Sequence, residues 1–327
     1  MTDDMAQIGR ARGDRSRRLR QQGAGRPQKP LGGKAYGSIP HLPGSRFGNR
    51  RDRGVPRGEA RLYLERPRPG DRVVVMEKLD GSCVAVLKKD NEIIPLIRSG
   101  YPAAGSVWRQ HRLFARWVRA RADAFAACLD DGDRVVGEWL AQAHGTRYDL
   151  TGRQPFVVFD YFRGDRRLPA LEAEARAQAH GLAFAPVLAA GPRGVPLPDA
   201  LAMLGEHGHY GAIDPAEGVV YRRETPGGMV YLAKYVRPEA EPGRYLPGDD
   251  DPDRAVWNWP PRARPGWREA ALMETDRMKR GDDVFPTIMD EGLVIETCLP
   301  ATTDEWAFCR RVYRIERHGR SWWRGTA

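Results

Sequence analysis

The segment Glu77-Lys78-Leu79-Asp80-Gly81-Ser82 stands at the exit of the apolar run Val73–Met76. A lysine held on a turn beside a strand, followed by a glycine that permits close backbone approach, suits a nucleophile that takes up a nucleotidyl group covalently. Such a lysine must shed its proton to attack an α-phosphate, so burial or nearby cations have to lower its pKa. A Lys-x-Asp-Gly turn also occurs in ordinary hairpins, and only its downstream partners in the chain give it meaning. Further groups come in order: Arg98 in Arg98-Ser99-Gly100, Glu138 in Gly137-Glu138-Trp139 and Phe159 in the run Phe156–Asp160. Glu217 comes next, in Glu217-Gly218-Val219-Val220, and the series closes with Lys234 and Arg237 in Ala233–Arg237. Glu138 comes after Val135-Val136 in a strand-like run and needs a partner, because an unpaired buried charge is costly. Phe159 suits two roles about equally, a stacking face for a base or a core aromatic.

These residues need strands to hold them. The run Val73–Met76 reads as a buried strand, the alternation Cys83–Lys88 as a second, and Glu92–Ile97 as a third, with Lys89-Asp90-Asn91 as the turn. Apolar residues at helical spacing (Leu113, Phe114, Trp117, Val118, Phe125) predict one helix or a broken pair across Ser106–Leu129. Strands are expected at Arg134–Leu140, Pro155–Phe162 and Leu182–Leu188, and a helix at Leu171–His180 stopped by Gly181. Glu217–Arg223 and Met229–Val236 form a hairpin pattern around Thr225-Pro226-Gly227-Gly228. The pattern is α+β and largely antiparallel, not alternating βαβ.

The net charge of +10 is not evenly spread. Residues 1–70 hold 17 Lys and Arg against 6 Asp and Glu, and the remainder holds 36 against 37. A basic arm on a near-neutral body points to a polyanion, nucleic acid foremost, or to a solubilising tail. Residues 1–35, rich in Arg, Gly and Gln, are expected to be a disordered arm, while Ile39–Leu42 packs on the body as an extended segment. Residues 241–266, dense in Pro, Gly and Asp, read as a linker or irregular packing segment. Beyond it lie strand-like runs at Gly292–Thr297 and Ala307–Ile315. The expected division is therefore an arm (1–35), a main domain (36–246), and a linker with a small C-terminal unit (247–327). No apolar run is long enough to span a membrane, and the N-terminus lacks the apolar centre of a secretory signal, so a cytoplasmic protein is expected. Cys83, Cys128, Cys298 and Cys309 lack zinc or redox spacing, and His207 and His209 sit among glycines in a loop, so no zinc site is expected.

The order and spacing of these motifs resemble those of the covalent nucleotidyltransferases: ATP-dependent DNA ligases, RNA ligases and mRNA capping enzymes. The resemblance covers roughly residues 36–246 and implies a nucleotidyltransferase (ligase adenylation) domain of antiparallel sheets with flanking helices. By that resemblance Lys78 is the nucleophile that forms lysyl-AMP, with Glu77 and Leu79 beside it at the nucleotide. Arg98 contacts phosphate, Glu138 binds the ribose, Phe159 stacks on the purine, Glu217 supports a catalytic Mg²⁺, and Lys234 neutralises the α-phosphate. The family's closing motif carries two basic residues one position apart, whereas here Lys234 is followed by Val236 and then Arg237. Either Arg237 substitutes or one cation alone reaches the phosphate. DNA ligases commonly have arginine two positions past the motif glycine; Cys83 stands there and turns the reading toward RNA ligases.

The expected function is an ATP-dependent RNA ligase, using Mg²⁺, that joins 5′-phosphate and 3′-hydroxyl polynucleotide ends. A DNA ligase or a GTP-using capping-type enzyme keeps the chemistry and changes the substrate. A non-catalytic nucleic-acid-binding protein is the alternative from another class. The last eighty residues resemble nothing recognised, and no signature of a ligase OB-fold is evident in them.

Overall fold

The computed structural model describes residues 28–48, 50–56, 58–246 and 255–259, together with the backbone of five strands between residues 285 and 326. The element order begins with the short helix α1 (Arg61–Leu64) and the strands β1 (Arg72–Lys78), β2 (Ser82–Lys89) and β3 (Glu92–Ile97). Helices α2 (Arg109–Arg119) and α3 (Ala122–Cys128) come next, then β4 (Arg134–Trp139), β5 (Phe156–Arg163) and β6 (Arg166–Arg167). The body is completed by α4 (Ala170–Ala179), β7 (Ala183–Phe184), β8 (Val187–Gly191), α5 (Leu197–Leu204), β9 (Gly218–Glu224) and β10 (Val230–Val236).

Two sheets carry the body. The first has strand order β10-β9-β1-β8, and the second β3-β2-β4-β5-β6 with β7 added in parallel to β5. All other pairings in these two sheets are antiparallel. β1 belongs to the first sheet and β2 to the second, so the three residues Leu79-Asp80-Gly81 carry the chain from one to the other. The lysine turn is thus a crossing between sheets, held on both sides.

Strand periodicity decides which side chains face which layer. On the first sheet Val73, Val75, Val219, Tyr221 and Ala233 face outward into a cluster completed by Ala200 and Leu204 of α5. Val74 and Met76 face inward and join the main core, with Phe114, Trp117, Trp139, Phe156 and Tyr161. The other face of the second sheet supplies Ala85, Leu87, Leu96 and Val136, which Ala35 and Tyr36 cover. Asp90 and Asn91 both have positive φ, the requirement of the tight β2–β3 hairpin loop.

The expected α+β, antiparallel architecture is the one observed, with differences in detail. Leu182–Leu188 is two strands, because Pro186 cannot donate to a ladder and the chain breaks there. Across Ser106–Leu129, where one helix or a broken pair was expected, it is the pair that forms, α2 and α3 dividing at Ala120-Arg121. Helix α5 lies where no element was expected; it is only eight residues long, with Pro198 in its first turn.

Ile39–Leu42 does pack on the body. Leu42 N–H donates to the Lys234 carbonyl (2.8 Å), and Lys234 N–H donates to the Pro40 carbonyl (2.9 Å). Residues 255–259 also return to the body: Asn258 bonds the Leu140 carbonyl and Tyr148 N–H, and Trp259 lies edge-on to Trp139. The last five strands are β11 (Phe285–Met289), β12 (Gly292–Pro300), β13 (Trp306–Cys309), β14 (Arg314–His318) and β15 (Ser321–Thr326). They pair in the order β11-β12-β14-β15, with β13 also on β12. The run expected as one strand at Ala307–Ile315 is thus split between β13 and β14. Of the arm expected at residues 1–35, residues 1–27 lie outside the described residues, while residues 28–35 pack on the body: Ala35 is buried and Lys89 Nζ donates to the Pro30 carbonyl (3.0 Å).

Candidate active site

A cleft of about 1090 Å³ opens between the two sheets, and Lys78, at the end of β1, lies within it. Its position is dictated by register: Lys78 pairs with Gly218 on β9, which puts Glu217 beside it, and Lys234 on β10 pairs with Val220. The Lys78 ammonium donates to Glu217 Oε2. From the second sheet Glu138, on β4, reaches toward the same turn, and its Oε1 accepts from Gly81 N–H (3.1 Å). Asp80 Oδ2 accepts from the backbone N–H groups of Gly145 (2.6 Å) and Thr146 (2.9 Å). Tyr148 Oη accepts from Asp80 N–H (2.9 Å), so the turn is fixed from three directions. A Cβ on Gly81 would stand 2.5 Å from the Trp139 carbonyl oxygen, which is why the turn requires glycine there.

The charges in the cleft act on one another. Burial works to lower the Lys78 pKa, but Glu217, Asp80 and Glu138 outweigh it and hold the ammonium above its ordinary range. Burial pushes Glu138 up to about 8, against the pull of Lys78, with Asp80 and Glu217 adding to the rise. Burial likewise raises Glu217, with Lys78 opposing. Lys234 is lowered by burial and by the charge of Lys78. The cluster is therefore a protonated lysine held chiefly by Glu217, with Asp80 and Glu138 close enough to add to the hold.

Of the residues expected at the site, Glu77, Lys78, Leu79, Arg98, Glu138, Phe159, Glu217 and Lys234 all line this cleft. They are not equivalent. The Glu77 carboxylate accepts from His209 N–H (2.7 Å), and being adjacent to Lys78 on a strand it points to the opposite face. Arg98 donates to the Gly37 carbonyl and Ser38 Oγ. Phe159 is half-buried at the β4–β5 bulge, and the edge-on ring of Tyr36, 5.2 Å away, braces it. Arg237 does not line the cleft: its guanidinium bonds the Gly205 and Glu206 carbonyls instead. Lys234 and Arg237 are three apart on an extended segment, so they face opposite sides, and of the two it is Lys234 that lines the cleft.

Other residues reach the cleft that sequence patterns did not single out. His111 bridges Ser82 Oγ and Ser106 Oγ (both 2.8 Å), and burial, then His144, lowers its pKa to about 4. His144 is lowered to about 4 by burial and bonds Gln110. His41 bonds Ser45 Oγ (2.7 Å) and lies 3.6 Å from Asp52. Arg222 and Asp160, in the β9 and β5 interiors, form a buried pair (3.1 Å) that links the two sheets. Their signal in sequence was a buried-strand charge, whose partner only folding supplies.

Two antiparallel sheets enclosing a lysine at their crossing, with carboxylates from both, define a nucleotidyltransferase-type site. The RNA ligase family model matches residues 71–236, about half the chain, and the chain belongs to that family. Among solved structures it is similar to the Naegleria gruberi RNA ligase with PPi (18% identity, 51% of this chain and 50% of that one, TM-score 0.39). It is also similar to an archaeal ATP-dependent RNA ligase (20% identity, 62% and 48%, TM-score 0.39). The chain spans about half the length of each. No curated protein matches it.

Proposed function

We propose that the protein is an ATP-dependent RNA ligase that joins 5′-phosphate and 3′-hydroxyl ends through lysyl-AMP. The observation that carries the reading is Lys78 at the sheet crossing, bonded to Glu217 from one sheet and faced by Glu138 from the other. In the first step Lys78 Nζ attacks the α-phosphorus of ATP. An N–P bond forms, the bond to the bridging oxygen breaks, and pyrophosphate leaves with the electron pair. AMP then passes to a 5′-phosphate, and a 3′-hydroxyl displaces it to seal the strand.

The ammonium must lose its proton before it attacks. Burial favours the neutral amine, and the carboxylates, Glu217 above all, keep the charge in place. Anything that engages Glu217 therefore loosens the strongest hold on that proton. A Mg²⁺ ion is held by one or two carboxylates plus substrate phosphates rather than by a protein-only cage. Glu217 is the carboxylate that would hold such an ion together with the ATP phosphates; when bound, the ion would offset phosphate charge and compete with Lys78 for Glu217. Lys234 faces the same space and suits the developing charge on the α-phosphate. The half-buried face of Phe159, braced by Tyr36, suits the purine.

The test is incubation with labelled ATP or GTP and Mg²⁺, then end-joining on nicked all-DNA and RNA-containing substrates. We expect an acid-labile AMP adduct on Lys78, absent in Lys78→Ala, and sealing that prefers RNA. No adduct after stripping any bound AMP with pyrophosphate, or an adduct that persists in Lys78→Ala, would sink the reading.

A further inference from the structure

The family match begins at residue 71, yet a large part of the cleft's positive wall comes from earlier in the chain. Residues 34–48 and 50–52 contribute much of the cleft's lining and form a strap along it. The strap is built in, not loosely laid on. Ala35 N–H bonds the Arg98 carbonyl (3.0 Å), the backbone at Pro40–Leu42 pairs with Lys234, and Arg46 N–H bonds the Val236 carbonyl (3.0 Å). His41 and Leu42 are almost fully buried. Lys34, Arg46 and Arg50 are thereby set around the same cleft that holds Lys78. Among the described residues none of these three has a carboxylate partner: Arg46 is bonded only to the Pro238 and Ala240 carbonyls, and Lys34 and Arg50 are exposed.

The part of the cleft within the matched region is, by contrast, short of available positive charge. Lys78 is paired with Glu217, and Arg222 with Asp160 and Glu224. Only Arg98 and Lys234 remain there to meet a phosphate. AMP carries one phosphate, whereas ATP brings a further pair that must be gripped on arrival and released as pyrophosphate. Cations that converge on one cleft suit a small polyanion; a polynucleotide asks for a track of cations leading away over the surface.

We propose that the strap, through Lys34, Arg46 and Arg50, forms the site for the β- and γ-phosphates of ATP and for the pyrophosphate it yields. The inference rests on the nucleotidyl-transfer reading above and adds a site to it. The strap's anchoring on β10 ties this site to Lys234, so leaving group and α-phosphate are held by adjoining elements.

The experiment uses the full chain and the double variant Lys34→Gln, Arg50→Gln, which touches no bond of the strap's frame, with Arg46→Lys as a second variant. Calorimetric binding of inorganic pyrophosphate with Mg²⁺ is measured first, then binding of AMP, then the ATP dependence of lysyl-AMP formation. The double variant should lose at least about tenfold in pyrophosphate affinity and gain as much in the KM for ATP, the scale of one or two lost charge-assisted hydrogen bonds. AMP affinity should stay within about twofold and the melting temperature should hold. Unchanged pyrophosphate binding overturns the proposal, as does a loss confined to polynucleotide sealing, which would make the strap a nucleic-acid site. Should the wild-type chain bind pyrophosphate through these residues yet never form lysyl-AMP, the strap site stands and the ligase reading falls.

Discussion

At the scale of single residues, the site is governed by charge. Lys234 faces the cleft and Arg237 is tied to the Gly205 and Glu206 carbonyls outside it. Lys234→Ala should therefore depress lysyl-AMP formation by about 10²–10³-fold, the usual loss for one well-placed electrostatic group. Arg237→Ala should leave that rate close to wild type and cost about 1 kcal/mol of stability from its lost hydrogen bonds. Single-turnover adenylylation of the two variants checks the contrast, and a reversed order would move the second cation back into the site. Glu138 offers a pH test. Its carboxyl rises from 4.5 to about 8, so the native protein keeps a proton there that the unfolded chain releases. Stability from this source is complete below about pH 4.5 and is lost as pH climbs through 8. Relative to Glu138→Gln, the wild type should thus melt progressively lower between pH 5 and pH 9. Parallel melting curves for the two proteins would show that Glu138 titrates like an ordinary carboxyl.

At the scale of elements, the decisive piece is the three-residue passage from β1 to β2. Strand β1 is buried on both faces and rigidly paired to β8 and β9, so its last residue is well placed. The passage itself is held by Tyr148, by the amides of Gly145 and Thr146, and by the close approach of Gly81 to Trp139. Gly81→Ala forces that contact apart without removing any charged side chain. We expect a fall of about 10²-fold in lysyl-AMP formation, the cost of misplacing a reacting atom by about 1 Å. The rate and the melting temperature should be read together. A variant that adenylylates normally would mean that the turn tolerates displacement and that Lys78 is positioned by Glu217 alone.

At the scale of the whole molecule, truncation can separate the arginines of residues 1–27 from the basic residues that line the cleft. Residues 1–27 hold seven arginines, whereas packing against the body is already seen at Lys29, whose ammonium lies over Tyr101. A chain beginning at residue 28 should keep ATP-driven adenylylation unchanged. Its binding to RNA should weaken and depend less steeply on salt, since each lost phosphate contact removes roughly 0.7–0.9 from the slope. Filter binding across a salt series measures this directly. An intact slope makes the arginines a solubilising tail, and lost adenylylation places them in the catalytic fold.

Much of this was legible in the amino-acid order because the relevant signals are local. Apolar runs of strand length, the Gly-Gly hairpin, and a lysine turn at a strand exit are each encoded within a few residues, so β1–β5, β9, β10 and the candidates Lys78, Glu138 and Glu217 could be read off directly. Local order cannot say which way a late cation points when two are three residues apart. Pairing of β10 with β9 decided that Lys234 turns inward and Arg237 outward. Nor does any periodicity mark the strap, whose turn-rich residues pack only because the exposed edge of β10 offers them backbone partners. The return of Trp259 to Trp139, the His111–Ser82 bridge and the Arg222–Asp160 pair join residues tens of positions apart or more. Composition and spacing set which strands form and what chemistry they carry; long-range pairing alone set which charges share a cleft.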